Sequence, residues 1–317
     1  MKLALHYRHR QERIEEALEE LGHAFTFVRS LWDPDEVIGS GADAVLFEFK
    51  HILKEELKFL SLSRRLRKAG IPVATWCLDL PNIGARRWKV PLLLKAGLVD
   101  IFATHSLQGL PTADRVLYLP NAAWLCSYNQ GSATLEDLRS PARYTVDVSF
   151  AGNIDSERYP EHRHRTDFLE ALAPRLREEG ITYCFAESRN MSFREQVELI
   201  QRSRINLNVG CAADRNGERS WGLAERCYGI PACGGFLLSD ERVHGRDAFA
   251  EGEEIVMFGD IEDCLRKIRY YIRSHDERRT IAENAYRRVL REHTYAHRME
   301  RLLAAVQRIK ERREPRK

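Results

Sequence analysis

The stretch ERSWGLAERCYGIPACGGFLLS, residues 218–239, decides how the rest of the chain is read. A polar, helix-forming run ends at Gly229. Ile230–Pro231 and the small residues Ala232, Cys233, Gly234 and Gly235 follow, and then Phe236–Leu238 run apolar. That order predicts a helix, a tight glycine turn and a buried strand. With no Cβ at Gly234 or Gly235, a ligand can approach the backbone closely, and N–H groups in such a turn favour a phosphate. A plain helix–turn–strand connection has the same signature, so the surrounding chain has to arbitrate.

Working outward, apolar runs alternate with amphipathic ones in both directions. Strands are predicted over 3–7, 24–28, 44–49, 72–78, 101–104 and 115–119. Helices are predicted over 11–21, where positions 14, 17, 18 and 21 share one face, and over 52–68. After a polar, turn-rich stretch at 127–144 the pattern restarts, with strands over 147–151, 182–186, 205–209 and 254–258 flanking the opening segment. Helices are expected at 163–178, 192–202, 262–273 and 276–312. The alternation predicts an α/β protein with two doubly wound, Rossmann-like domains whose parallel sheets are covered on both faces. The domains are placed at 1–125 and 145–290, facing a cleft, with a linker near 124–144. A long C-terminal helix, 291–317, is expected to cross back and pack toward the first domain. Ligands of open parallel sheets bind at the carboxyl ends of the strands, so the chemistry is sought in loops 6–10, 79–82, 105–106, 152–158, 187–190 and 210–219.

Composition narrows the function classes. No window holds the ~18 uninterrupted apolar residues of a membrane span, and the apolar run in MKLALHYRHRQER is too short for a signal peptide. The expectation is a cytoplasmic protein. Seven cysteines form no CxxC pair, which fits reduced thiols rather than a disulfide framework or a zinc site. The basic tail RIKERREPRK sits on a chain of net charge +3, so it reads as a solvated helix end before a nucleic-acid arm. Neither G-x-x-x-x-G-K-[ST] nor G-x-G-x-x-G occurs, which counts against ATPase and dinucleotide-binding readings.

Four stretches recur in this order in one family: FAGN at 150–153, RINLNV at 204–209, RCYGIPACGGFLLSD at 226–240 and the segment 249–299 ending HTYAHRM. Together they resemble the CgeB-like (spore-maturation protein type) glycosyltransferases of the GT-B fold. WCLDLPN at 76–82 and YLPNAA at 118–123 carry the resemblance more loosely into the N-terminal half. The resemblance implies transfer of a sugar from a nucleotide-diphosphate sugar, bound by the C-terminal domain, to a hydroxyl acceptor held by the N-terminal one. The acceptor would be a glycan, a protein or a small molecule. No cofactor and no metal are expected beyond the nucleotide sugar itself. One position departs from the pattern. Arg226, Cys227 and Tyr228 fit, but Gly229 stands where the family has a glutamate of the kind that binds donor ribose hydroxyls. Glu225, four residues earlier, is the carboxylate that would point to the same side.

Candidate roles follow from residue chemistry and this resemblance. Gly152 and Asn153 close a strand and would contact phosphate, although Gly-Asn is also an ordinary turn. Arg226 offers a guanidinium fork to the diphosphate, with Arg158 and Arg219 offsetting further leaving-group charge in place of a divalent ion. Glu187, Glu225, Gly234 and Gly235 join the donor set, and Glu253 does so by family analogy alone. Asp79, at a strand end, is the candidate base for an acceptor hydroxyl, with His105 second. His6, Arg8 and His9, in a basic cluster with Tyr7 and Arg10, would bind the acceptor. Asp33-Pro34-Asp35 has the form of a metal-binding Asp-x-Asp, but Pro at a first helical position reads as a helix start. His293 and His297 are spaced i, i+4 without a partnering acid and read as packing. His162 and His164, in a charged run, read as facing water. Two other readings stay open: a non-catalytic nucleotide or glycan binder that kept the fold, favoured by Gly229, and a transferase acting on modified DNA.

Overall fold

A computed structural model describes residues 1–313 except 8, 31, 112, 132 and 216. Contacts divide the chain into two units, Met1–Pro120 joined by the C-terminal helix, and Asn121–Thr294.

The first unit runs β1 (Lys2–His6), α1 (Glu12–Glu20), β2 (Ala24–Phe27), α2 (Pro34–Gly39), β3 (Ala44–Phe47), α3 (Phe49–Lys54), α4 (Glu56–Lys68), β4 (Val73–Cys77), α5 (Arg86–Lys95), β5 (Ile101–Thr104) and β6 (Val116–Tyr118). Its sheet has the order β2-β1-β3-β4-β5-β6, and every pairing is parallel. Burial follows position in the sheet. The central strands β3, β4 and β5 are buried along their whole length, as expected where helices cover both faces, whereas the edges β2 and β6 are not. Val45, Phe47, Phe59, Leu66, Val73 and Phe102 anchor the core. As its sequence predicts, Asp33 caps α2, accepting the Asp35 N–H at 2.9 Å.

The second unit runs β7 (Val146–Gly152), α6 (Arg163–Glu178), β8 (Tyr183–Glu187), α7 (Phe193–Arg202), β9 (Ser203–Asn208), α8 (Arg226–Ala232), β10 (Leu237–Asp240), α9 (Gly245–Ala248), β11 (Val256–Phe258), α10 (Ile261–Arg273) and α11 (His275–Glu292). The sheet order β11-β10-β9-β7-β8 is again all parallel. Chain order reverses between β7 and β9, which makes their carboxyl ends the topological switch point of this sheet. Ser192 and Glu195 form a reciprocal capping box that starts α7. Residues 124–144, expected as a linker, are part of this unit. Gln201 Nε2 donates to the carbonyls of Ala133 and Cys233 at 3.0 and 3.2 Å, and Glu283 pairs bidentately with Arg139 at 2.8 Å.

Several helices differ from the sequence expectation, and two of the differences bear on the site and on the unit boundary. The helix placed before Gly229 instead begins at Arg226 and continues through Pro231. The final helix is two: α11 stops at Glu292 and α12 (Tyr295–Arg313) begins after Thr294. The break is pinned within the second unit, where the His293 carbonyl accepts the Ala123 N–H at 2.8 Å and Thr294 bridges to Ala123. Beyond it α12 belongs to the first unit. Leu302 and Val306 are buried there, and Arg298 Nε donates to the Pro120 carbonyl at 2.9 Å.

Candidate functional site

In the second unit the side chain of Arg226 crosses the β7/β9 switch point. Arg226, the first residue of α8, donates from Nε to Asn208 Oδ1 at 2.7 Å, from Nη1 to the Ala151 carbonyl at 3.4 Å and from Nη2 to the Gly210 carbonyl at 3.4 Å. Its guanidinium lies 4.9 Å from the Phe150 ring centroid. Gly152 makes room for it, since a Cβ at residue 152 would collide with Nη1. Gly152 and Arg226, each named separately from the sequence, are neighbours here, and the glycine is needed for space.

A second guanidinium, absent from the sequence expectation, stands beside it. Arg165, on the first turn of α6, is only 1% exposed and donates to the carbonyls of Val209 (2.7 Å) and Asn153 (2.6 Å). Its Nη2 has no hydrogen-bond partner among the described residues. Burial, then the like charge of Arg226, pull its pKa down to about 9. It stays charged at neutral pH, so two cations share one small region. Among the described residues neither is ion-paired with a carboxylate. The region is electrostatically prepared for an anion, and a phosphate takes such paired forks well.

The loop after β9 is built on buried charge. Arg242 holds Asp214 through Nη1 and Nη2 at 2.6 and 2.7 Å and Asp240 through Nη2 at 2.6 Å. Asp240 also accepts from Asn208 Nδ2 (2.8 Å), the Gly210 amide (3.1 Å) and Arg219 Nη2 (2.8 Å). Burial alone would raise the pKa of Asp214, but His164 and Arg242 hold it far below the ordinary carboxylate range. Gly210, at φ +74°, passes so close to His164 that a Cβ would lie 2.5 Å from its Nε2. Arg219 thus serves this scaffold, and is half exposed beside it.

Two depressions open on these strand ends. One, of about 700 Å³, is lined by His164, Asp214 and Arg219 among others. The other, of about 680 Å³, is lined by Ile154, Asp155, Arg158, Tyr159, Glu187, Arg189 and Asn190. Glu187 accepts the Ile154 N–H at 2.8 Å and pairs with Arg189, tying the loop after β7 to the end of β8. Although burial raises its pKa, those amides and Arg189 bring it below the usual value. Asn153 turns its own loop, accepting the Asp155 N–H at 3.1 Å, and Arg158 is exposed. Among the described residues no group of three or more His, Cys, Asp or Glu is arranged to hold a metal ion.

Several expectations need correction. Gly234 and Gly235 precede β10, at the amino end of the strand and so opposite the switch-point loops. They are buried: a Cβ on Gly234 would meet Leu138 and Leu135 at 2.8 and 2.9 Å, and one on Gly235 would meet Ile200 at 2.6 Å. The pair is a packing device. Glu253 is exposed before β11, likewise at an amino end, with its carbonyl accepting from Asn284. His162 does not face water: it is 6% exposed. His293 packs as expected, against Tyr228 and Phe249, with Nε2 2.9 Å from the Ala248 carbonyl.

Gly229 is closed off. A Cβ there would lie 2.7–2.9 Å from the ring atoms of Tyr128, which packs over the glycine and is itself 8% exposed. Glu225 stands at the N-cap of α8, adjacent to Arg226.

In the first unit, Asp79 follows β4 and accepts from Arg86 Nη2 at 3.0 Å, both side chains being partly exposed. His105 follows β5 and is fully buried, with Nδ1 3.4 Å from the Cys77 carbonyl. His6 is also buried, stacked on Phe47 at 3.5 Å between ring centroids. Of the basic cluster, His9 is exposed, Arg10 pairs with Glu15, and Arg8 lies outside the described residues.

A family model described as "Glycosyl transferase-like" matches residues 133–304. No curated protein matches the sequence. Among solved structures, a glycosyltransferase from Rickettsia africae is similar at TM-score 0.61 and 12% identity, covering 97% of this chain and 98% of that one. Sucrose-phosphate synthase from Thermosynechococcus elongatus is similar at TM-score 0.60 and 11% identity, over 97% and 99%. Anabaena Alr3699/HepE, solved with UDP and separately with UDP-glucose, is similar to it at TM-score 0.58 and 10% identity, over 97% and 99%, in the UDP complex. At such identities the likeness is one of fold.

Proposed function

Because the chain belongs to the glycosyl transferase-like family and has the GT-B fold, we propose that it transfers a sugar from a nucleoside-diphosphate sugar to a hydroxyl acceptor. The donor is held by the unit Asn121–Thr294, and its diphosphate lies at the carboxyl ends of β7 and β9. One observation carries this reading: Arg226 and Arg165 meet at the switch point, and among the described residues neither is salt-bridged to a carboxylate. Charge develops on the departing diphosphate in the transition state, and fixed guanidiniums stabilise it there without reorganising. They supply the positive charge that a divalent ion would otherwise bring, which supports a metal-independent transfer. HepE's complexes with UDP and UDP-glucose make a uridine donor the first to test. In the first unit, Asp79 is the group suited to take the acceptor proton, being partly exposed at a strand end, whereas His105 is enclosed. The FAGN and RCYGIPACGGFLLSD segments favour the CgeB-like branch, and the buried free thiols favour the cytoplasm.

The test is calorimetric titration of UDP and other nucleoside diphosphates into the wild type and Arg226→Ala. Hydrogen bonds to charged groups are worth about 1.5–3 kcal/mol, so the variant should bind about 10- to 150-fold more weakly. Binding that ignores Arg226, or no binding of any nucleoside diphosphate, would remove the reading. Tyr128 over Gly229 supports a second reading, a donor binder without turnover. Tight UDP-sugar binding with no UDP release in the presence of a broad acceptor pool would select it.

A further inference from the structure

Helices α4 and α5 of the first unit leave an apolar face in water. Leu57 is 83% exposed, and Trp88 and Leu92 are each 58% exposed. A groove of about 280 Å³ runs along the same face, lined by Leu53, Leu60, Leu93 and Leu98 with these residues. A contiguous exposed apolar patch of this kind marks an interaction site.

The charge around it says what kind. Residues 49–68 and 86–95 hold eleven lysines and arginines against two glutamates, Glu55 and Glu56, on a chain whose net charge is only +3. Both glutamates are already paired, with Lys58 and Lys89. Arg64 stands one turn beyond Leu60 on α4, and Lys95 one turn beyond Leu92 on α5, both exposed, so cations rim the apolar strip. Trp88 lies at its edge, with Lys89 Nζ 5.4 Å from its ring centroid. A second copy would bring the same positive face against this one, and like charges would oppose the contact. A bilayer with anionic headgroups answers every feature: apolar side chains reach the acyl boundary, tryptophan prefers the headgroup level, and lysine and arginine meet phosphates.

We propose that the α4–α5 face docks peripherally on an anionic lipid bilayer, seated through Leu57, Trp88 and Leu92 and held by Arg64 and Lys95. The contact is a surface one, as no helix among the described residues is long and apolar enough to cross a membrane.

Flotation of the full chain with phosphatidylcholine vesicles, with and without phosphatidylglycerol, tests it. The wild type should float with the anionic vesicles only, and less as salt rises. Leu57→Ser/Leu92→Ser and Arg64→Glu/Lys95→Glu change only exposed positions, and a thermal melt checks that each folds. Each should weaken vesicle binding by at least about ten-fold. The proposal fails if the wild type ignores anionic vesicles or binds neutral ones as well, or if either folded variant floats like the wild type. It also fails if sedimentation equilibrium finds a dimer that the leucine variant abolishes, which would assign the face to a second copy.

Discussion

Tyr128 occupies the space that any side chain on residue 229 would need, so the two positions are coupled. Gly229→Ala should destabilise the protein by about 1–3 kcal/mol through overpacking, read as a lower melting temperature. Gly229→Ala/Tyr128→Leu should lose less than the two single changes summed. Simple additivity would show that ring and glycine are not in contact. His162 makes a pH prediction. Burial, then Arg165, lower its pKa from 6.5 to about 4. The unfolded chain takes up this proton near 6.5 and the folded chain only near 4, so native stability drains away as pH falls through that window. His162→Gln should flatten the melting profile there, and an unaltered profile would exclude the assignment. At this scale the sequence was half legible. Arg226 stood out through its glycine-rich, family-like setting. Arg165 did not, because it sits in EHRHRTD, residues 161–167, a run whose charges read as solvated. Only the close approach of β7 and β9 takes it out of water.

At the scale of elements, the eleven strands of the described residues were each anticipated to within a few residues. Buried parallel strands appear as continuous apolar runs, and amphipathic helices between them leave few alternatives. Helix α5 was missed: Pro91 lies inside it, and its apolar residues do not follow a helical period. The role given to Gly234–Gly235 failed because a glycine pair looks the same at either end of a strand, and only the topology tells which end faces a ligand. The buried Asp214–Arg242–Asp240 unit was not legible either, since its members are up to 28 residues apart. It yields a firm expectation. Arg242→Met leaves two buried carboxylates without their shared cation, and breaking such a pair costs about 3–5 kcal/mol. Urea unfolding should register that loss, and trypsin should cut faster at Arg215 or Arg219 in the released loop. A variant with wild-type stability and cleavage would mean that the network does not hold the loop.

At the scale of the molecule, the two units differ in how the chain builds them. The second is continuous in sequence, whereas the first is completed by α12 after the second has been traversed. Met299, Leu302, Leu303 and Val306 are all buried on that helix. Fully burying each such side chain is worth about 1.5–3 kcal/mol. A chain ending at Thr294 should therefore retain the melting transition of the second unit and lose that of the first, with new binding of a hydrophobic dye. Two intact transitions would show that α12 is dispensable.

The same return of the chain bears on its synthesis. A ribosome making roughly 5–20 residues per second needs on the order of ten to forty seconds to pass from Pro120 to α12. Through that interval the nascent first unit waits with the seat of its last helix uncovered, while the later-made unit can close on itself at once. The order of emergence and the order of completion are reversed, and the opening half of the polypeptide is the one that calls for a chaperone.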